Sequence, residues 1–194
     1  TLRLLFSLAA NIVTTLLLLR RVGDEAALKE SEHRYRTIFE TLAVAIWEND
    51  FRFVKAELEK LRQRGIVDIR PYLADNHDFV VRMRKAVRIT DVNQTALKLM
   101  DVPSKDEFFR TLDDFLPDND GGFAHFLAGI FEGQTEFQSE TTVRRRDGRL
   151  IPILVALSFP KDGSGLDRIQ ASIVDMTERH QFQEALETSR QELE

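Results

Sequence analysis

The first apolar run of the chain is continuous rather than periodic. From Leu2 to Leu19 only Arg3, Ser7, Asn11, Thr14 and Thr15 interrupt it. A helix over that stretch would measure roughly 27 Å at about 1.5 Å per residue, close to the hydrocarbon thickness of a bilayer. Arg20 and Arg21 follow at once, as at a cytoplasmic membrane exit. A transmembrane helix is therefore expected within residues 1–22. Arg3, Ser7, Asn11 and Thr15 recur every four residues and form one polar stripe, which in lipid would face another helix. An amphipathic soluble helix packed on a partner is the alternative reading. No small-residue cleavage site follows the run, so a cleaved signal peptide is not expected.

Periodic patterns begin after the arginines. Residues 23–42 are helix-forming in composition, and Leu28, Tyr35 and Leu42 are spaced by seven with Ile38 and Phe39 between them. A linker helix with a short coiled-coil seam is predicted, or one packed on a neighbouring domain. Val44–Asp50 is a short apolar run ending in polar turn residues, which predicts a strand. The strand signal then vanishes. Val54, Leu58 and Leu61 stand at helical spacing with Gly65 as a stop, Pro71 can open a second helix, and Phe79, Val80 and Met83 mark a third. Residues 51–86 are thus a predicted helical insertion, rich in Arg and Lys on a solvated face.

A strand returns at Ala86–Val92, and a helix opens near Asn93, whose side chain can cap it. Phe108–Phe115 predicts more helical turns ending at Pro117, and Phe123, Phe126, Leu127, Ile130 and Phe131 form the apolar side of a further helix. From Glu136 the period becomes two: strand, turn at Asp147–Gly148, strand, a loop at Gly163–Gly165, and a last strand reaching Asp175. From Glu178 the pattern is helical again. Phe182, Leu186, Ser189 and Leu193 step by four, three and four, a heptad seam. The order predicts an α+β fold with one antiparallel five-stranded sheet and helices on a single face.

Composition narrows the chemistry. With 194 residues, 43% of them hydrophobic, the chain suits one domain with extensions, and a net charge of −5 gives no reason to expect a nucleic acid partner. There is no cysteine, which removes disulfides, thiolate metal sites and thiol nucleophiles. His33, His77, His125 and His180 lack metal-ligand spacing. The chain starts without methionine and stops inside a helical pattern, so a segment of a longer protein is expected.

Three stretches carry a family resemblance: "VRITDVNQTALKLM", "RRRDGRLIPILVALSF" and the "DMT" of Asp175–Thr177. In this order they resemble a Per-Arnt-Sim (PAS) sensor domain over about Val44–Thr177, with "IWENDF" similar to a variant of bacterial sensor kinases and related signalling chains. The insertion at 51–86 departs from the tight hairpin that the family usually forms there. The resemblance implies a domain at 43–177 and a signalling coiled coil starting at 178, with Asp175 and Thr177 tying the last strand to the outgoing helix as signal-relay residues. It implies a parent protein of the sensor histidine kinase or cyclic-dinucleotide (GGDEF) type, at the inner membrane with the PAS domain in the cytoplasm. A homodimer through the flanking helices, a C-terminal output domain and a small-molecule ligand are the partners it implies.

Chemical candidates are few. Trp47, Tyr72, His125 and Phe126 are the candidate ligand-lining residues, with ordinary core packing as the plainer account of the aromatics. Family members that sense light through flavin use a cysteine, absent here; haem-binding members use a histidine in the region of His125, but nothing else supports haem or flavin, and the cofactor is left open. "DGSGL" lacks the strand-turn-helix context of a nucleophile elbow, "RHQFQ" around His180 is not a phosphoacceptor box, and no P-loop is present. The segment is not expected to be an enzyme. The expected role is a sensor or relay, with a ligand-free structural dimerisation module as the alternative.

Overall fold

The computed structural model describes residues 2–108, 111–117, 121–160 and 164–191, with side chains from residue 20 onward except that of Gly121. It divides into two units, residues 1–41 and 42–194. The first is one helix, α1 (Leu2–Thr41). The expected membrane span, Leu2–Leu19, falls on residues whose side chains lie outside the described ones; among the described residues no helix is long and apolar enough to cross a membrane. Leu28 and Tyr35 are exposed on α1, and Leu42, the third residue of the expected seam, falls just past its end.

The second unit runs β1 (Ala45–Asp50), α2 (Arg52–Gln63), α3 (Ile69–Asp75), α4 (His77–Ala86), β2 (Arg88–Val92), α5 (Gln94–Met100), α6 (Gly121–Glu132), β3 (Glu136–Arg144), β4 (Leu150–Ser158), β5 (Ile169–Asp175) and α7 (Thr177–Gln191). The five strands form one sheet in the order β2-β1-β5-β4-β3, antiparallel at each junction. The first strand thus lies inside the sheet, between β2 and the last strand. Asn93, fully buried, fixes this start: its Oδ1 accepts from Ala96 N at 2.9 Å, capping α5, and from Ile46 N at 3.0 Å, while its Nδ2 donates to Val44 O at 2.8 Å.

The insertion is helical, as its periodicity predicts. Val54, Leu58 and Leu61 are all buried on one side of α2, and Gly65 at φ +86° supplies the left-handed exit that an L side chain resists. Asp68 caps α3 by accepting from Arg70 N at 3.0 Å, which leaves Pro71 in the first turn, where its missing N–H costs no helix bond. At the start of α2, Asp50 accepts from the N–H and the guanidinium of Arg52, and that guanidinium holds its carboxyl below the usual carboxylate range. The apolar faces of α2, α3 and α4 meet α6 in one core containing Leu58, Met83 and Leu127. A second core, containing Trp47, Met100, Val143 and Ile173, joins the sheet to α5.

One region differs from the sequence pattern. Of the helical turns expected over Phe108–Phe115, the described residues hold one 3-10 turn, Leu112–Asp114, with another just before the stretch at Lys105–Glu107; residues 109 and 110 lie outside the described ones. Tertiary bonds fix the stretch instead: Arg144 N donates to Phe115 O at 2.7 Å, drawing it onto β3. Gly163 of the predicted loop and Leu193 of the predicted seam lie outside the described residues.

Candidate functional site

A cavity of about 340 Å³ lies between the inner face of the sheet and α6, a volume suited to a small organic molecule. Trp47 and Asn49 enter it from β1, Phe137 and Thr141 from β3, Phe123 and Phe126 from α6, and Leu112 and Leu116 from the segment before α6. Alternation along the strand explains the first pair: residues two apart share a face, so Trp47 and Asn49 are both turned inward. Gly129 lets α6 come close, since a Cβ there would meet the Phe137 ring at 2.4 Å.

The lining is mostly apolar, with two polar groups that stand out. Trp47 is 3% exposed and Asn49 2%, yet among the described residues Trp47 Nε1 and Asn49 Oδ1 have no hydrogen-bond partner. The rest of each residue is firmly held. The Trp47 ring meets Phe115 edge-on at 4.5 Å and Phe108 at 5.9 Å. Asn49 Nδ2 donates to Trp47 O at 3.1 Å and to Ile169 O of β5 at 3.3 Å. Two carbonyls around one end of the amide fix its orientation, because only the NH2 can donate to both. A donor and an acceptor are therefore held on one strand at the cavity.

Of the sequence candidates, Trp47 and Phe126 line this cavity together. Tyr72 does not: it sits on α3 inside the insertion, its ring 5.5 Å from Phe79 and packed against the core shared with α6. It is a core aromatic, placed where its chain neighbours put it. His125 lies on the exposed side of α6 at the cavity's edge. Its Nδ1 stands 3.4 Å from Arg70 Nη1, and Arg70 is itself held by Glu132 at 2.9 and 3.0 Å. The neighbour of this nitrogen is thus a guanidinium, which only donates. A metal-bound histidine instead donates its second N–H; these surroundings do not fit haem.

The relay candidates sit at the junction of β5 and α7. Asp175 Oδ1 accepts from Thr177 N at 2.8 Å, so the aspartate makes the bond expected of a cap. The hydroxyl of Thr177 is buried and has no hydrogen-bond partner among the described residues, so the bond at this junction is the aspartate's. Met176 between them is buried, its N–H donating to Pro152 O of β4 at 2.9 Å. Sequence reasoning missed Asn49, Leu112 and Leu116. Asn49 had one signal, a polar residue on the same strand face as Trp47.

The profile of the PAS domain matches residues 71–178. No curated protein matches the chain. Among solved structures, an RNA-binding light-oxygen-voltage receptor is similar over 86% of this chain and 38% of its own, with 15% identity and a TM-score of 0.52. The PAS domain of an HTR-like protein from Haloarcula marismortui shares 19% identity over 80% of this chain and 99% of its own, TM-score 0.48. A domain of a sensory box sensor histidine kinase/response regulator from Geobacter sulfurreducens shares 18% over 76% and 96%, TM-score 0.45. The profile spans more than half of the sequence, from α3 through the start of α7, and the chain belongs to the PAS domain family.

Proposed function

We propose that this PAS domain senses a small, neutral, mostly apolar molecule in the cavity and relays its presence through α7 to an output domain of a histidine kinase or cyclic-dinucleotide enzyme. A PAS domain is a sensory module, not a catalytic one. The observation that carries the reading is the pairing of an unpartnered Trp47 N–H with an unpartnered Asn49 carbonyl oxygen at an apolar cavity. A hydroxyl, carboxamide or protonated carboxyl both accepts and donates, so one such group suits both. A carboxylate would meet the Asn49 oxygen as a second acceptor. Buried polar groups without partners cost about 1–3 kcal/mol each, and a ligand that supplies the bonds recovers that cost.

The same asparagine supports the relay. Its amide bonds the backbone of β5 at Ile169, and β5 runs directly to Asp175 and α7. A ligand that pulls on Asn49 acts on the strand that leads out of the domain. The test is a panel of small alcohols, amides and acids, read by thermal unfolding and by the emission of Trp47, the single tryptophan. A binder at a hundred times its Kd should add about 2.7 kcal/mol to stability and shift the emission. If no compound moves either signal, the ligand-free dimerisation module is the better account.

Phe182 and Leu186 are 74% and 73% exposed on α7, one heptad edge without cover among the described residues. A second copy pairing along this edge, and along α1, suits a relay that works by helix rotation. Leu2–Leu19 as a membrane span would tether the dimer at the inner membrane with the domain in the cytoplasm. On fractionation the full chain should then stay with membranes until detergent releases it; recovery in the supernatant of a salt wash would rule the span out.

A further inference from the structure

We infer that the inserted helices set the wall of the cavity, with Arg84 of α4 as the positioning residue. Apart from Phe51, which leads into α2, no residue of 51–86 lines the cavity, so the insertion does not cover it directly. It holds the parts that do. Arg84 is 6% exposed, an unusual depth for a guanidinium. Its Nε donates to Asp113 Oδ1 at 2.6 Å, and its Nη1 donates to Pro117 O at 3.1 Å. Those two partners bracket Phe115 and Leu116, with Leu112 directly before Asp113. Leu112 and Leu116 line the cavity, and Phe115 meets the Trp47 ring at 4.5 Å.

One planar side chain thus ties both ends of a five-residue wall whose own local bonds are short-range: the 3-10 turn, Thr111 N to Asp114 Oδ2 at 2.8 Å and Leu116 N to Leu112 O at 3.1 Å. Arg144 N to Phe115 O is the wall's bond to β3, and Lys85 stands 3.7 Å from Asp113 at the surface. Neither reaches Pro117. On the opposite wall, Arg62 donates to Phe131 O and Arg70 pairs with Glu132, so the insertion also grips the last turn of α6. Whatever shifts α4 shifts Leu112 and Leu116, which makes the insertion a second input to the cavity besides the ligand itself.

The test is hydrogen exchange by mass spectrometry on the full chain, comparing wild type with Arg84→Ala and Arg84→Lys. It needs no ligand, so its failure is separate from failure of the ligand reading. In Arg84→Ala the peptide covering 111–117 should exchange at least tenfold faster while β4 and β5 keep their rates, and acrylamide should quench Trp47 more strongly. Arg84→Lys keeps the charge beside Asp113 but lacks the second prong, and should show the same local rise to a smaller degree. If Arg84→Ala does not fold, Arg84→Lys is read alone. Exchange that rises equally in all strands, or does not rise at 111–117, overturns the assignment and leaves Arg84 an ordinary buried ion pair of the fold.

Discussion

Leu58→Asp should abolish cooperative folding of the second unit. Leu58 is 2% exposed on α2, in the core that α2 shares with α4 and α6. Deleting a buried leucine costs about 2–5 kcal/mol through lost transfer energy and the space left behind. A carboxylate in its place adds the cost of burying a charge with no partner. Together these match or exceed much of the roughly 5–15 kcal/mol that holds a domain of this size. Leu61→Asp, at 3% exposure, should behave alike. Phe53→Ser is the control: the side chain sits on the outer side of the same helix at 51% exposure and should change stability by less than about 0.5 kcal/mol. Urea unfolding followed by circular dichroism separates the cases. Wild-type stability in Leu58→Asp would mean that α2 to α4 hang loosely from the sheet.

What was legible in the sequence was whatever a local pattern decides. Leu58 and Leu61 could be assigned to one helix face because 3.6-residue spacing is a property of the chain alone, and the buried faces of α2 and α4 follow it. Asn93 could be read as a cap for the same reason, and the Asp147–Gly148 turn is carried by a glycine at φ +84°. Even there the fuller role stayed hidden. That Asn93 also bonds Ile46 and Val44 depends on β1 returning beside β2 from across the insertion at 51–86.

The parts that could not be read depend on which distant segment arrives. Phe108–Phe115 looked helical from its apolar residues, but Arg84 and the backbone of β3 hold its second half, from Leu112, in a shape its own propensity does not choose. Tyr72 and Trp47 are both aromatics in apolar surroundings, and only the sheet separates them: one faces a cavity and the other an insertion core. Asn49 shows the limit most sharply. A polar residue near a strand end reads as solvated until the strand order puts β1 between β2 and β5 and buries it.

Asp175→Ala should silence the response of the intact parent protein while leaving the fold nearly as stable as before. The carboxylate accepts one bond, from Thr177 N at 2.8 Å, at the point where β5 becomes α7. Removing such a bond costs about 1 kcal/mol, too little to unfold a domain. Its negative charge near the first turn of α7 also favours the helix dipole, a comparably small term. The start of α7 has a second anchor: Met176 is buried and donates to Pro152 O, and His180 N donates back to Met176 O. In the mutant that anchor keeps α7 attached, but the direction in which it leaves β5 is no longer fixed by the aspartate. In the proposed dimer, a helix pair meeting at Phe182 and Leu186 would convert a small rotation at its start into a change of register, so the expected loss falls on coupling rather than on folding. The measurement is output activity with and without stimulus in wild type and mutant, beside their melting temperatures and dimer state. A mutant that melts within a few degrees of wild type, remains dimeric and no longer responds is the expected result. One that keeps the full response would make Asp175 a helix cap and nothing more.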